Sequence, residues 1–206
     1  MHLRALAATM AGAALLLGTQ AMAADPPNFD FNGYAQVASA VGQPLVVRTL
    51  LTNNGVVPTP IPLDFVNFEH TLVIQGTLTS VVGIAQHHAG ALIAIYSDAR
   101  VGGTAASYAS PATFTDGTLI LSGTFDDLIR TTFTPNLGNF SGDVTFSGGT
   151  RLGEMSPVDG WPCGGGWSRS VTGIPAGYQE NWDGKIDLST VAVEPRSWGS
   201  VKQLFE

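Results

Sequence analysis

A period of two residues runs through most of this chain and restricts it to β-structure. Within residues 112–150, Phe140, Gly142, Val144 and Phe146 share one parity, while Ser141, Asp143, Thr145 and Ser147 share the other. Successive side chains of an extended strand point to opposite faces, so such a stretch offers one face to a core and one to water. Residues 118–125 repeat the pattern, with Leu119, Leu121 and Phe125 against Thr118, Ser122 and Thr124; only Ile120 departs from it. Asp116-Gly117, just before this stretch, is a turn signal because both residues tolerate positive φ. Leu121, Val144 and Phe146 are therefore expected in the core, and Ser141 and Thr145 outside it. Residues 65–82 form the longest run, with Phe68, His70, Leu72 and Ile74 on one parity and Glu69, Thr71 and Gln75 on the other. Gly76 within it marks a bulge or bend.

The remaining segments extend this reading. Phe29, Phe31 and Gly33 share a parity, and residues 43–52 (QPLVVRTLLT) are rich in Val and Leu. Three prolines in residues 56–62 each lack an amide donor, so that segment is a connection or an edge. Residues 91–97 are apolar on both parities and fit a strand buried on both faces or a short helix. Residues 150–155 read as one more short strand. Beyond Met155 the Gly-, Pro- and Trp-rich chain reads as a long structured loop. Structureless segments beyond about 15 residues are uncommon in compact domains and often functional. Ser197 is placed to cap a short C-terminal helix with Trp198, Val201, Leu204 and Phe205 on one stripe. The expected fold is an all-β, single antiparallel β-sandwich, with a β-barrel as the alternative, carrying a Gly/Trp-rich loop region and that helix.

The first residues stand apart. A basic start ending at Arg4, an apolar run and the small-residue site Ala21-Met22-Ala23 are the three parts of a secretory signal peptide. The apolar run is shorter than the roughly 20 residues a spanning helix needs. The division is thus a signal peptide at 1–23, a β-domain at 24–190 and a tail at 191–206, with a secreted or periplasmic location and no transmembrane segment in the mature chain. Nine basic residues face sixteen acidic ones, for a net charge of −7. The basic residues are scattered, which excludes nucleic acid as a partner, since phosphate binding requires a basic patch. Cys163 is the one cysteine, so no intramolecular disulfide forms and the thiol reads as a small core side chain.

Each chemical motif is weak against its plainer reading. His70 lies on the apolar parity and reads as a core histidine. His87 and His88 are adjacent, so on a strand they point to opposite faces and cannot chelate one ion together. No metal or cofactor is expected. Residues 181–187 echo the middle of a calcium loop, but Gln179 and Thr190 stand where its anchoring acids belong, and a turn at Asp183-Gly184 is the simpler reading. No nucleophile motif occurs, and no catalytic residue is assigned. Trp161, Trp167, Tyr178 and Trp182, with Glu180 among them, form the candidate ligand-binding set: flat aromatic faces stack on sugar rings, or else pack as a local core.

The layout resembles secreted bacterial β-proteins that combine an export signal, Gly/Thr-rich strands and a late Trp/Gly loop; no diagnostic motif carries an activity over. The expected function is an exported, non-catalytic binding or surface-structural module, with a glycan or cell-surface component as partner. The first alternative is a secreted hydrolase using Glu154 and Glu180 with help from His70. The second is a carrier of a small apolar ligand in a barrel.

Overall fold

The computed structural model describes residues 26–53 and 57–188. The expected signal peptide, its cleavage after Ala23 and the expected C-terminal helix lie outside the described residues.

The described chain is all-β. Its strands are β1 (Asn28–Gln36), β2 (Pro44–Thr52), β3 (Phe68–Thr77), β4 (Ser80–Val82), β5 (Ala85–Ala89), β6 (Leu92–Ala99), β7 (Thr118–Phe125), β8 (Asp127–Thr134), β9 (Leu137–Gly148), β10 (Trp161–Ser168) and β11 (Glu180–Asp187). Every pairing is antiparallel. Following neighbours from β1 through β2, β3, β6, β7, β9, β10 and β11 returns to β1, which closes an 8-strand barrel. The closing step is β10, which pairs on one side with β11 (Cys163 opposite Ile186) and on the other with β9 (Trp161 opposite Val144). The barrel alternative therefore describes the fold better than the expected sandwich: closure leaves no sheet edge among the eight strands, whereas two packed sheets would leave four.

The extra strands lengthen one end of this barrel. Gln75 faces Leu92 and, beyond the break after β3, Ser80 faces His87 in unchanged register. β4 and β5 thus continue the β3–β6 hairpin to a tight turn at Gly83-Ile84, where Gly83 takes a φ of +60 that suits a residue without Cβ. β8 continues β7 past Asp126 and pairs with β5 and β9.

Of the two readings of residues 91–97, the strand holds, as β6. Two other local expectations are corrected. Residues 152–154 form a 3-10 turn where a short strand is expected. The segment read as a loop contributes β10 and β11, two of the eight barrel strands. The reason lies in the interior. Gly165 and Gly184 occupy inward positions, and a Cβ on them would come within 2.8 and 2.5 Å of the Phe140 ring. The glycines make room for an aromatic stack in which Phe140 lies 4.2 Å from Trp182 and 6.0 Å from Phe31. In β10, where Gly164, Gly165 and Gly166 follow one another, space in place of side chains erases the alternation.

The barrel is apolar inside. Phe29, Phe31, Leu45, Val47, Leu72, Ile74, Ile93, Leu121, Phe140, Val144, Phe146 and Ile186 are all buried, as the parity requires, while Ser141 is exposed and Thr145 is partly exposed. Asp30, Asn32, Asn139, Asp143, Asp183 and Lys185 face outward and are exposed. This polarity is the reverse of a barrel whose strands meet lipid. No helix among the described residues is long and apolar enough to cross a membrane.

The two ends differ. At one end the Pro-rich segment folds inward, burying Ile61 completely and packing Leu63 and Phe65 on the core with Met155. At the other end the connections are 37–43, the Gly83 turn, 135–136 and 169–179, and the barrel mouth stays open.

Candidate functional site

Strand β8 reads DLIRTTFT, and its inward parity carries Leu128, Arg130 and Thr132. Burying a guanidinium requires a partner in the same low-dielectric space. Glu180, the first residue of β11, supplies it across the mouth. Arg130 is 3% exposed and Glu180 is fully buried. Arg130 Nε donates to Glu180 Oε2 at 3.0 Å and Nη2 donates to Oε1, a two-pronged pairing that matches the geometry of both groups. Arg130 Nη1 donates to Gln86 Oε1 at 3.1 Å and to Thr132 Oγ1 at 3.0 Å. Its planar group lies 3.9 Å from the centre of the Trp167 ring, whose face favours a cation.

A second guanidinium shares the same carboxylate. Arg169, on the connection after β10, donates from Nε to Glu180 Oε1 at 3.0 Å and brings Nη2 to within 2.9 Å of the same oxygen. Trp182 Nε1 donates to Glu180 Oε2 at 3.1 Å. Two permanent cations against one carboxylate leave one net positive charge. Arg130 is buried, but Arg169 is 42% exposed at the lip. It faces a hollow of about 670 Å³ between the connections, walled by Val37, Ala38 and Pro135 and furnished with Ser39, Gln86 and Gln179. No carboxylate lines this hollow, since Glu180 lies beneath the arginines. An open, partly apolar concavity with a few convergent polar groups is the usual form of a small-molecule site.

The candidate residues divide among three places. Trp167, Trp182 and Glu180 meet in the mouth cluster. Trp161 lies at the opposite end of β10, 3% exposed, with its Nε1 donating to Pro157 O at 2.8 Å. Tyr178 packs on the outside of the barrel with Tyr34 and Tyr108. The three tryptophans are at most 3% exposed, so the aromatic platform open to a sugar ring is replaced by rings built into the core. Glu154 pairs with Arg151 at the closed end, and His70 sits there between Phe65 and Phe68. Glu154 and Glu180 thus occupy opposite ends and cannot flank one bond. The calcium echo at 181–187 lies within β11 instead of a turn, and among the described residues no group of three or more His, Cys, Asp or Glu is placed to hold a metal. Cys163 is buried, and burial pushes its thiol pKa up, away from reactivity.

The adjacent histidines point to opposite faces as expected. His87 lies outside with Nδ1 2.6 Å from Asp127 Oδ2. His88 is fully buried, with no hydrogen-bond partner for either ring nitrogen. Burial, followed by the neighbouring Arg130 charge, lowers its pKa from 6.5 to about 4. The unfolded chain therefore binds the extra proton between these values, so the His88 contribution to stability is complete above about pH 6.5, falls through the window and levels off below about pH 4. The loss amounts to about 3 kcal/mol at most. Urea melts of the natural protein and of His88→Leu at about pH 7 and about pH 4.5 check this. The variant should lose less stability between the two conditions, while His70, also lowered by burial, contributes equally to both proteins. Equal acid sensitivity would exclude His88 as the source.

Sequence reasoning assigned no role to Arg130 or Arg169. Neither carried a signal: in residues 127–134 the apolar Ile129 and Phe133 share the parity opposite to Arg130, so alternation alone would set the guanidinium outward. Comparison with protein-family models, with curated proteins and with solved structures gave no match.

Proposed function

We propose that the chain is an exported, non-catalytic binding protein that holds the anionic head of a small amphiphile in the mouth of its barrel. The observation that carries this reading is the uncompensated charge: Arg130 and Arg169 share Glu180, and Arg169 reaches the hollow. A carboxylate or phosphate on Arg169 would neutralise it, while an adjoining apolar group would lie on Val37, Ala38 and Pro135. Arg130, already engaged on Nε, Nη1 and Nη2, holds Glu180 in place and has little left to offer a ligand. The small-ligand carrier is thus the favoured role, with a ligand that is charged at one end.

Titration with octanoate, followed by tryptophan fluorescence and calorimetry, tests this. Trp167 lies 5.6 Å from the Arg169 guanidinium and should report occupancy. Arg169→Ala should weaken binding by about tenfold or more, the worth of a charge-assisted hydrogen bond. Octanol binding as well as octanoate, or no binding of octanoate, would overturn the reading.

A further inference from the structure

We infer that the open end of the barrel docks on a lipid surface bearing anionic headgroups, an inference that rests on the proposed anion site and names the source of its ligand. The tips of four connections around the mouth expose apolar side chains: Val41 between β1 and β2, Val82 and Ile84 on the β4–β5 turn, Phe133 and Leu137 around the β8–β9 turn, and Val171 between β10 and β11. Their exposures run from 41% to 66%. Val66, Val101 and Val158 are exposed at the closed end too, but there they lie among carboxylates, whereas the six at the mouth are gathered around one depression, the form of an interaction surface.

Charge identifies that partner. Segments 37–43, 78–91, 132–137 and 168–179, which build this end, contain no Asp or Glu. The segments of the closed end carry Asp64, Glu69, Asp98, Asp116, Glu154 and Asp159. In a chain of net charge −7, carboxylates are thus absent from one end, and the buried Glu180 beneath it is outnumbered by two arginines. The carboxylates of the closed end and the outer wall oppose approach to an anionic surface, and this end carries none to oppose it. The shape agrees. Four separate tips around a depression make a poor match for a flat protein face, whereas a fluid interface admits each tip independently. A second copy would set two cationic mouths against each other. With the tips in the interfacial layer, Arg169 stands at headgroup depth and the hollow opens toward a lipid phosphate.

Flotation of the purified full chain with vesicles of phosphatidylcholine alone, and of phosphatidylcholine with phosphatidylglycerol, tests the inference beside the octanoate titration. The natural protein should float with the anionic vesicles and much less with the neutral ones. The double variant Ile84→Asp, Phe133→Asp should lose about tenfold or more of its vesicle affinity. Neither residue lines the hollow, so it should still bind octanoate, which also establishes that it is folded. Octanoate binding by a natural protein that fails to float would overturn lipid docking and leave the anion site standing. Failure in both assays would overturn both. Flotation undiminished in the double variant, or equal on neutral vesicles, would show that the tips or the arginines have no part in docking and would overturn the inference.

Discussion

Glu180→Ala should destabilise the protein by about 3–5 kcal/mol in a urea melt, the usual consequence of removing one partner from a buried ion pair. The substitution strands Arg130, which is 3% exposed and is held in place by Trp167 and the strand it belongs to. It also leaves Trp182 Nε1 without its acceptor. Arg169, being at the lip, can turn to water and adds less. The pair itself need not stabilise the fold, because desolvating two charges costs about as much as their attraction returns. The double variant Arg130→Met, Glu180→Leu should therefore recover most of the lost stability, and it leaves the Arg169 charge at the lip. A double variant as unstable as Glu180→Ala would mean that the loss comes from packing around the carboxylate instead of from a stranded charge.

Phe140→Ala should cost about 3–5 kcal/mol, a loss in the range measured for large aromatic truncations in cores. The Phe140 ring lies almost parallel to Trp182, at 15°, and also stacks on Phe31 at 6.0 Å. Beneath it are Gly165 and Gly184, which have no side chains to swing into the void. The space would persist as a cavity, and cost rises with the cavity that remains. Gly184→Ala tests the same packing from below, since its Cβ would stand 2.5 Å from the Phe140 ring and 2.7 Å from the Gly164 carbonyl oxygen. It should destabilise in a chemical melt although it adds only one methyl group, because overpacking forces neighbours off their rotamers. A loss below about 1 kcal/mol for Phe140→Ala would show that the stack is not close-packed.

Local order was legible wherever each residue's neighbours in sequence were also its constraints. The parity of 118–125 and 140–147 placed Leu121, Val144 and Phe146 inside because side-chain direction alternates whatever the sheet becomes. The opposed faces of His87 and His88 followed from the same rule, and the missing amide donors of three prolines confined residues 56–62 to a connection or an edge. β11 was legible too, since Glu180, Trp182, Gly184 and Ile186 alternate with Asn181, Asp183, Lys185 and Asp187; the calcium echo concealed it. β10 was not, because its inward Gly165 is explained by the Phe140 ring on another strand. Closure was equally out of reach. A sandwich and a barrel impose the same alternation on each strand, and only the pairing of β10 with both β9 and β11 separates them.

The candidate site shows the same division. Composition supplied an acidic, cysteine-poor β-chain, but the burial of Arg130, on a strand whose Ile129 and Phe133 hold the opposite parity, and its union with Arg169 and Glu180 belong to the tertiary structure alone. Residues 130 and 180 meet because antiparallel strands bring the ends of β8 and β11 to one mouth, and Arg169 reaches them from a connection with no pattern of its own. Alternation is a property of the single strand and can be read from the sequence. The convergence of charges depends on register and closure around the whole barrel, which long-range pairing decides.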